Sequence, residues 1–154
     1  VKSLTVQAPW SWLLTLPDEA GGKGVENRGW PIVHRGTIAL HTALKVDRAV
    51  LTDPRVREAL TQWRGPDPRH ADAEPWDGRL GCIVALIDIT DCHPARRVEP
   101  CCRPWGDLPP IGQQLWHWTR ANPRSLSRPV QCRGALGLWT VPADVEALVL
   151  ERAG

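Results

Sequence analysis

The chain contains no phenylalanine, no tyrosine and no methionine. Any stacking on a planar ligand therefore falls to its nine tryptophans or its five histidines. Lysine is scarce as well. Lys2, Lys23 and Lys45 stand among nineteen Lys plus Arg, so cationic contacts rest mainly on guanidinium. Long apolar runs are missing: the longest, Cys82 to Ile87, is far short of the ~20 residues a membrane-spanning helix needs. No charged-then-apolar leader opens the sequence, so export is not expected. The net charge of +2 excludes a histone-like polycation but leaves room for a local basic site. Five cysteines are an odd set and a poor match to a disulfide scaffold. Cys82, inside its apolar run, reads as a small buried hydrophobe. The set as a whole fits a reducing, cytoplasmic setting. Against these absences stand 42% hydrophobic and 23% charged residues over 154 positions. That is enough to bury a core, and a single domain spanning 1–154 is expected.

Breakers and periodicity divide the chain. Leu4 to Gln7 reads as a short strand, and Ala8-Pro9-Trp10 starts a helix that Pro17 ends. Apolar residues occupy both sides of that helix, which suits burial or the wall of a pocket. Gly21-Gly22 makes a turn. Val25 to Trp30 alternates as a strand and places Glu26, Arg28 and Trp30 on one face. Thr37 to Ala43 is another strand, with His41 facing away from Ile38 and Leu40. Asp53-Pro54 caps a helix carrying Val56, Ala59, Leu60 and Trp63, stopped by Gly65-Pro66. Arg64 to Asp77 reads as a loop and Cys82 to Ile89 as a strand buried on both faces. His93 to Pro110 is a long proline-rich connection of the kind that is functional or mobile in small domains. Leu115 to Thr119 and Ala135 to Val141 read as late strands before a terminal helix that uses Val145, Leu148 and Val149. Trp63 and Trp139 are expected in the core. Several short strands with three peripheral helices predict an α+β fold, a small closed or partly closed β-barrel.

One segment concentrates chemistry: Gly21-Gly22-Lys23-Gly24-Val25-Glu26-Asn27-Arg28. A glycine turn delivers Lys23 to the mouth of a strand from which Glu26 and Arg28 project together. Arg offers a planar fork to phosphate or a base edge, and Lys a point charge. A carboxylate accepts from an exocyclic amine, as Glu does with cytosine. Trp10, Trp12 and Trp30 offer stacking worth ~1–3 kcal/mol per base. The competing reading is that Glu26 and Arg28 pair with each other and tie strand to helix. Gly24 follows the lysine where a phosphate loop carries Ser or Thr, so this is not a phosphate loop. Cys92-His93 with Cys101-Cys102 supplies metal-ligand types but not the C-x-x-C spacing of zinc sites, so neither metal nor cofactor is expected. Arg96-Arg97 is a solvated pair or an electrostatic rim. No Ser/His/Asp order stands out, since Ser11, Ser125 and Ser127 lack a nucleophile elbow.

That segment resembles the G-x-K-x-x-E-x-R signature of the ASCH domains in the PUA-like superfamily. Gln7-Ala8-Pro9-Trp10-Ser11-Trp12 resembles the opening that precedes this signature. His34-Arg35-Gly36 with Ile38-Ala39-Leu40-His41 resembles the strand that follows it. Trp116-His117-Trp118 and Arg133 to Trp139 complete an ordered set over nearly the whole chain. The resemblance implies a PUA-like barrel with a cleft between the first helix and the signature strand. It also implies a nucleic-acid-binding module for single-stranded RNA or a nucleotide, with DNA as a further partner and no membrane role. The candidate ligand-binding residues are Gln7, Trp10, Trp12, Lys23, Glu26, Arg28, Trp30 and His41. The alternative is a small hydrolase acting on a modified nucleoside, or a nuclease using Lys23 and Glu26. The family's amidohydrolases of acetylated cytidine resemble this chain at Lys23 but carry a threonine three residues later, where Glu26 stands here. A protein-interaction module is the third reading, kept open by the modest charge.

Overall fold

The computed structural model describes residues 1–63 and 72–154. The elements run β1 (Lys2–Ala8), α1 (Trp10–Thr15), β2 (Val25–Arg28), β3 (Gly36–Val46), α2 (Pro54–Gln62), β4 (Cys82–Pro94), β5 (Trp116–Gln131), β6 (Leu138–Thr140) and α3 (Ala143–Ala153). Short 3-10 turns lie at Asp18–Ala20 and Arg48–Thr52. All six strands belong to one mixed sheet in the order β2-β5-β4-β3-β1-β6. Only β1 and β3 run parallel; the other pairings are antiparallel. The fold is thus α+β, as the sequence predicts. The expected barrel closure is not found: among the described residues no backbone ladder joins the edge strands β2 and β6. One side chain reaches over the gap, with Arg28 Nη2 of β2 donating to Thr5 O of β1 at 3.3 Å. No helix among the described residues is long and apolar enough to cross a membrane.

The apolar run at 82–89 is buried on both faces of the sheet, as its lack of alternation implies. Val84, Ile87 and Ile89 join Leu4, Val6, Ile38, Leu40, Leu14 and Trp118 on one side. Ile83 and Leu86 join Ala39, Leu126, Val130 and Val149 on the other, beneath α3. A third cluster sits under α1 and α2, built from Trp12, Leu13, Val25, Val56, Ala59, Trp76 and Trp105. Asp53 caps α2 through its carboxylate, which accepts from Arg55 N at 2.8 Å, and Pro54 takes the first helical position where its missing N–H costs nothing. Trp63 and Trp139, expected in the core, lie half-buried at the margins of two clusters.

The largest departures of strand boundaries from the sequence reading fall in β4, β5 and β6, while β1 and β3 are longer than expected and β2 ends at Arg28, before Trp30. β4 continues to Pro94, so the long connection begins later than expected. β5 runs on to Gln131 through Pro123 and Pro129, where the sequence suggested an end at Thr119. Beyond Thr119, β5 pairs only with β4, so one edge is unpaired and tolerates residues lacking an N–H. β6 shrinks to Leu138–Thr140, because it pairs only with Lys2 to Leu4. The expected helix stop at Gly65-Pro66, and residues 64–71 of the expected Arg64–Asp77 loop, lie outside the described residues.

Candidate functional site

The glycine turn before β2 is built by close approach. A Cβ on Gly22 would sit 2.1 Å from Leu16 O and 2.7 Å from Arg120 Nη2, so only glycine fits. Arg120 of β5 clamps the turn. Its Nε donates to Lys23 O at 2.9 Å and its Nη2 to Leu16 O at 2.6 Å, while its Nη1 lies 3.0 Å from Asp18 Oδ1. Burial holds this guanidinium below its ordinary value, opposed by the Asp18 carboxylate.

Lys23 leaves the turn and points inward, only 3% exposed. Its Nζ donates to Val25 O at 2.6 Å and to Glu26 Oε2 at 2.7 Å, and lies 5.6 Å from the centre of the Trp10 ring. Glu26, also buried, presents its other oxygen to Arg28, with Nε 3.0 Å from Oε1. The Nε–H is not aimed at that oxygen and has no aligned acceptor. The three signature side chains therefore converge on Glu26, with Lys23 innermost and Arg28 at the surface. A carboxylate paired with two cations offers only acceptor atoms to a further partner.

Above this cluster opens a cavity of about 410 Å³, lined by Thr5, Gln7 and Trp10 on one side and Glu26, Asn27 and Arg28 on another. A second cavity of about 800 Å³ adjoins it, lined by His41, Leu44, Gly81 and the segment Gln131 to Leu136. Thr5, Ala43, Ala135 and Leu136 line both, so the two form one groove along β1 and β3. Arg28 lines one cavity and Arg133 the other. Gly134 packs so tightly against His41 that a Cβ there would meet the ring at 2.6 Å. His41 donates from Nε2 to Cys132 O at 2.9 Å, which leaves its buried Nδ1 without a partner. Burial lowers the pKa of this imidazole, so it is neutral at neutral pH.

Of the residues singled out from sequence, the fold brings Gln7, Trp10, Glu26, Arg28 and His41 onto this groove. Lys23 lies beneath its floor. Trp12, expected as a stacking ring, is instead a core side chain set edge-on to Trp76 at 6.3 Å. Trp30 does not share a strand face with Glu26 and Arg28, because β2 ends at Arg28; it packs edge-on against Trp118 at 4.5 Å and lines neither cavity. The reason is local: α1 is a single buried segment, so only the end carrying Trp10 reaches the groove. Arg133, which opens the segment Arg133 to Trp139, is not among the candidate ligand residues read from the sequence, because no local spacing shows that it lines the cleft.

A second grouping lies where β4 ends and β5 begins. His93 and His117 are cross-strand partners, and the connection between these strands folds back to set Cys101 and Cys102 against them. Cys101 Sγ lies 3.4 Å from His93 Nε2 and 3.3 Å from His117 Nδ1, and Cys102 Sγ lies 3.5 Å from His93 Nε2. Burial and the neighbouring Cys101 push the Cys102 thiol up to about 11. Cys92, paired with these residues in the sequence reading, is not among them; its sulfur accepts from Ile32 N at 3.4 Å. The signal that reveals the set is the β4–β5 register, which no spacing rule contains.

Taken together, the mixed six-stranded sheet, the parallel β1–β3 pair, the three helices and the groove beside the glycine turn define an α+β protein with an ASCH-like fold. Two solved structures from Zymomonas mobilis carry the comparison. An ASCH protein superposes with a TM-score of 0.53 at 8% identity, covering 97% of this chain and 93% of that one. A tyrosine-to-phenylalanine mutant of the ASCH protein from that organism gives the same TM-score and identity, covering 97% and 96%. No protein-family model matches the sequence, and no curated protein matches it.

Proposed function

We propose that this chain is a nucleic-acid-binding module that takes single-stranded RNA or a nucleotide into the groove along β1 and β3. The observation that carries the reading is the groove itself, two adjoining cavities of which one is lined by Arg28 and the other by Arg133. Its volumes lie in the range of small-ligand sites, ~300–1,000 Å³. Arg28 supplies a planar fork for phosphate or a base edge, Glu26 an acceptor for an exocyclic amine, and Trp10 an indole at the rim. The likeness of fold to ASCH structures supports the class of ligand by analogy.

Titration of the intrinsic tryptophan fluorescence with a short single-stranded RNA, and with DNA of the same sequence, tests the reading. Neutralising three or four phosphates gives a slope of log K against log salt of about −2 to −3, at ~0.7 per phosphate. Arg28→Ala and Arg133→Ala each weaken binding, by ~1–3 kcal/mol for a well-formed contact, without unfolding the domain. Unchanged RNA and DNA affinity in both variants refutes the proposal.

The hydrolase alternative has less support. Lys23 Nζ is engaged by Glu26 and Val25 O beneath the groove floor, so it does not stand ready to activate a nucleophile. Incubation with acetylated cytidine is expected to give no deacetylation; turnover abolished by Lys23→Ala would establish the enzyme instead.

A further inference from the structure

We propose that this protein binds one structural zinc ion through His93 Nε2, Cys101 Sγ, Cys102 Sγ and His117 Nδ1. These four atoms lie within 4.8 Å of one another. Tetrahedral zinc with bonds of about 2.3 Å to sulfur and 2.0–2.1 Å to nitrogen separates its S and N ligands by about 3.6 Å. The three S···N separations here, 3.4, 3.3 and 3.5 Å, are within a few tenths of an ångström of that edge. Two thiolates and two imidazoles are the donor set that selects zinc among the common divalent ions.

The outer contacts orient both histidines for this task. Each ring nitrogen facing away from the cluster is held by an oxygen acceptor: His93 Nδ1 donates to Asp91 Oδ2 at 2.7 Å, and His117 Nε2 donates to Asp107 O at 3.0 Å. This leaves the inward nitrogens, Nε2 of His93 and Nδ1 of His117, as bare lone pairs. A carboxylate or carbonyl behind each imidazole is the usual partner of a metal-bound histidine. The backbone is shaped to the same end. Cys102 adopts φ 59°, in the left-handed region, directly after Cys101. Gly106 lies so close that a Cβ would meet Cys102 Cβ at 2.8 Å and His117 Cε1 at 2.9 Å. All four coordination positions come from the protein, which makes the site closed and structural rather than catalytic. Binding displaces two thiol protons to solvent and leaves a centre of zero net charge.

The consequence is mechanical. The ion fastens the connection between β4 and β5 to the ends of both strands. Beyond the cysteines that connection carries Trp105, which packs edge-on against Trp10 at 6.3 Å. It also carries Asp107, whose N–H donates to Asn27 Oδ1 at 3.1 Å. Zinc thereby braces the segment that packs against Trp10 and β2.

Elemental analysis of the full chain, expressed with zinc and purified without chelator, is expected to give one zinc per chain. The Cys101→Ser/Cys102→Ser double variant is expected to lose at least tenfold of that content, while Cys132→Ser, outside the cluster, retains it. Wild-type protein stripped with a chelator and reloaded with Co(II) carries the test without any variant. It is expected to show the visible absorption of tetrahedral cobalt together with a thiolate-to-metal charge-transfer band, which Cys101→Ser roughly halves. Zinc below roughly a tenth of an equivalent together with no tetrahedral cobalt spectrum overturns the proposal. Full metal content in the double variant overturns it as well. Both outcomes are independent of whether the groove binds RNA.

Discussion

Replacing Glu26 by glutamine keeps the shape of the side chain and removes its charge, which isolates the electrostatic part of the signature cluster. Glu26 is 8% exposed and Lys23 is 3% exposed, so the ammonium would lose its counter-charge where water cannot replace it. Breaking a buried pair from one side costs ~3–5 kcal/mol, because the remaining charge is uncompensated. Lys23 retains Val25 O at 2.6 Å and the Trp10 ring at 5.6 Å, and the new amide oxygen can still accept. These contacts place the loss at the lower end, about 3 kcal/mol. A chain of this size loses ~2–4 °C in Tm for each kcal/mol, so Glu26→Gln is expected to melt ~6–12 °C below wild type. Differential scanning calorimetry at pH 7, backed by urea unfolding with an unchanged m-value, reads this directly. The double variant Lys23→Gln/Glu26→Gln removes both charges, and its loss is expected to be smaller than the sum of the two single losses. A Glu26→Gln protein melting within 2 °C of wild type, about the shift of ~0.5–1 kcal/mol, refutes the buried pair as an energetic clasp.

Asp88 accepts from Arg124 Nη2 at 2.9 Å, Thr37 Oγ1 at 2.7 Å and Asn122 Nδ2 at 2.9 Å, and Arg124 above all holds its carboxyl well below the usual range. Its stabilising effect is complete above the unfolded value near ~3.9 and is lost as pH falls below it, so Asp88→Asn flattens the acid limb of Tm against pH. Burial lowers the pKa of His41, so its neutral form contributes fully above ~6.5 and stability falls as pH drops through that value; His41→Gln is expected to reduce that decline between pH 7 and 5. Arg120→Met strands the carbonyls of Leu16 and Lys23, and hydrogen exchange in residues 16–24 is expected to accelerate well before global unfolding. Trp12→Ala empties a core position beside Trp76, so a loss of ~3–5 kcal/mol is expected with no specific change in RNA affinity beyond that of unfolding.

Local rules reached a good part of this molecule. The helix cap at Asp53-Pro54 and the doubly buried strand after Cys82 depend on neighbours a few residues away, and both stand close to where the sequence places them. So does the glycine turn ahead of Glu26 and Arg28, because a strand's two-residue period puts alternate side chains on one face. β5 escaped because its prolines read as breakers, and only the absence of a second neighbour beyond Thr119 makes them harmless. Trp12 and Trp30 escaped for a similar reason: an indole has the same sequence signature whether it faces a ligand or another indole.

Sequence alone determined the α+β class, the element order over most of the chain, and the placing of Glu26 and Arg28 on one strand face beside a lysine. These follow from propensity, periodicity and short-range sterics, which act within a turn or a few strand residues. Tertiary structure decided that Lys23 lies under Glu26 instead of at the surface, that Arg28 and Arg133 line one groove, and that the sheet stays open between β2 and β6. It also decided that His93 meets His117 across a ladder while Cys101 and Cys102 return to them from a connecting segment. Each of these depends on register and chain reversal, which are set by the packing of residues far apart in sequence and leave no local trace.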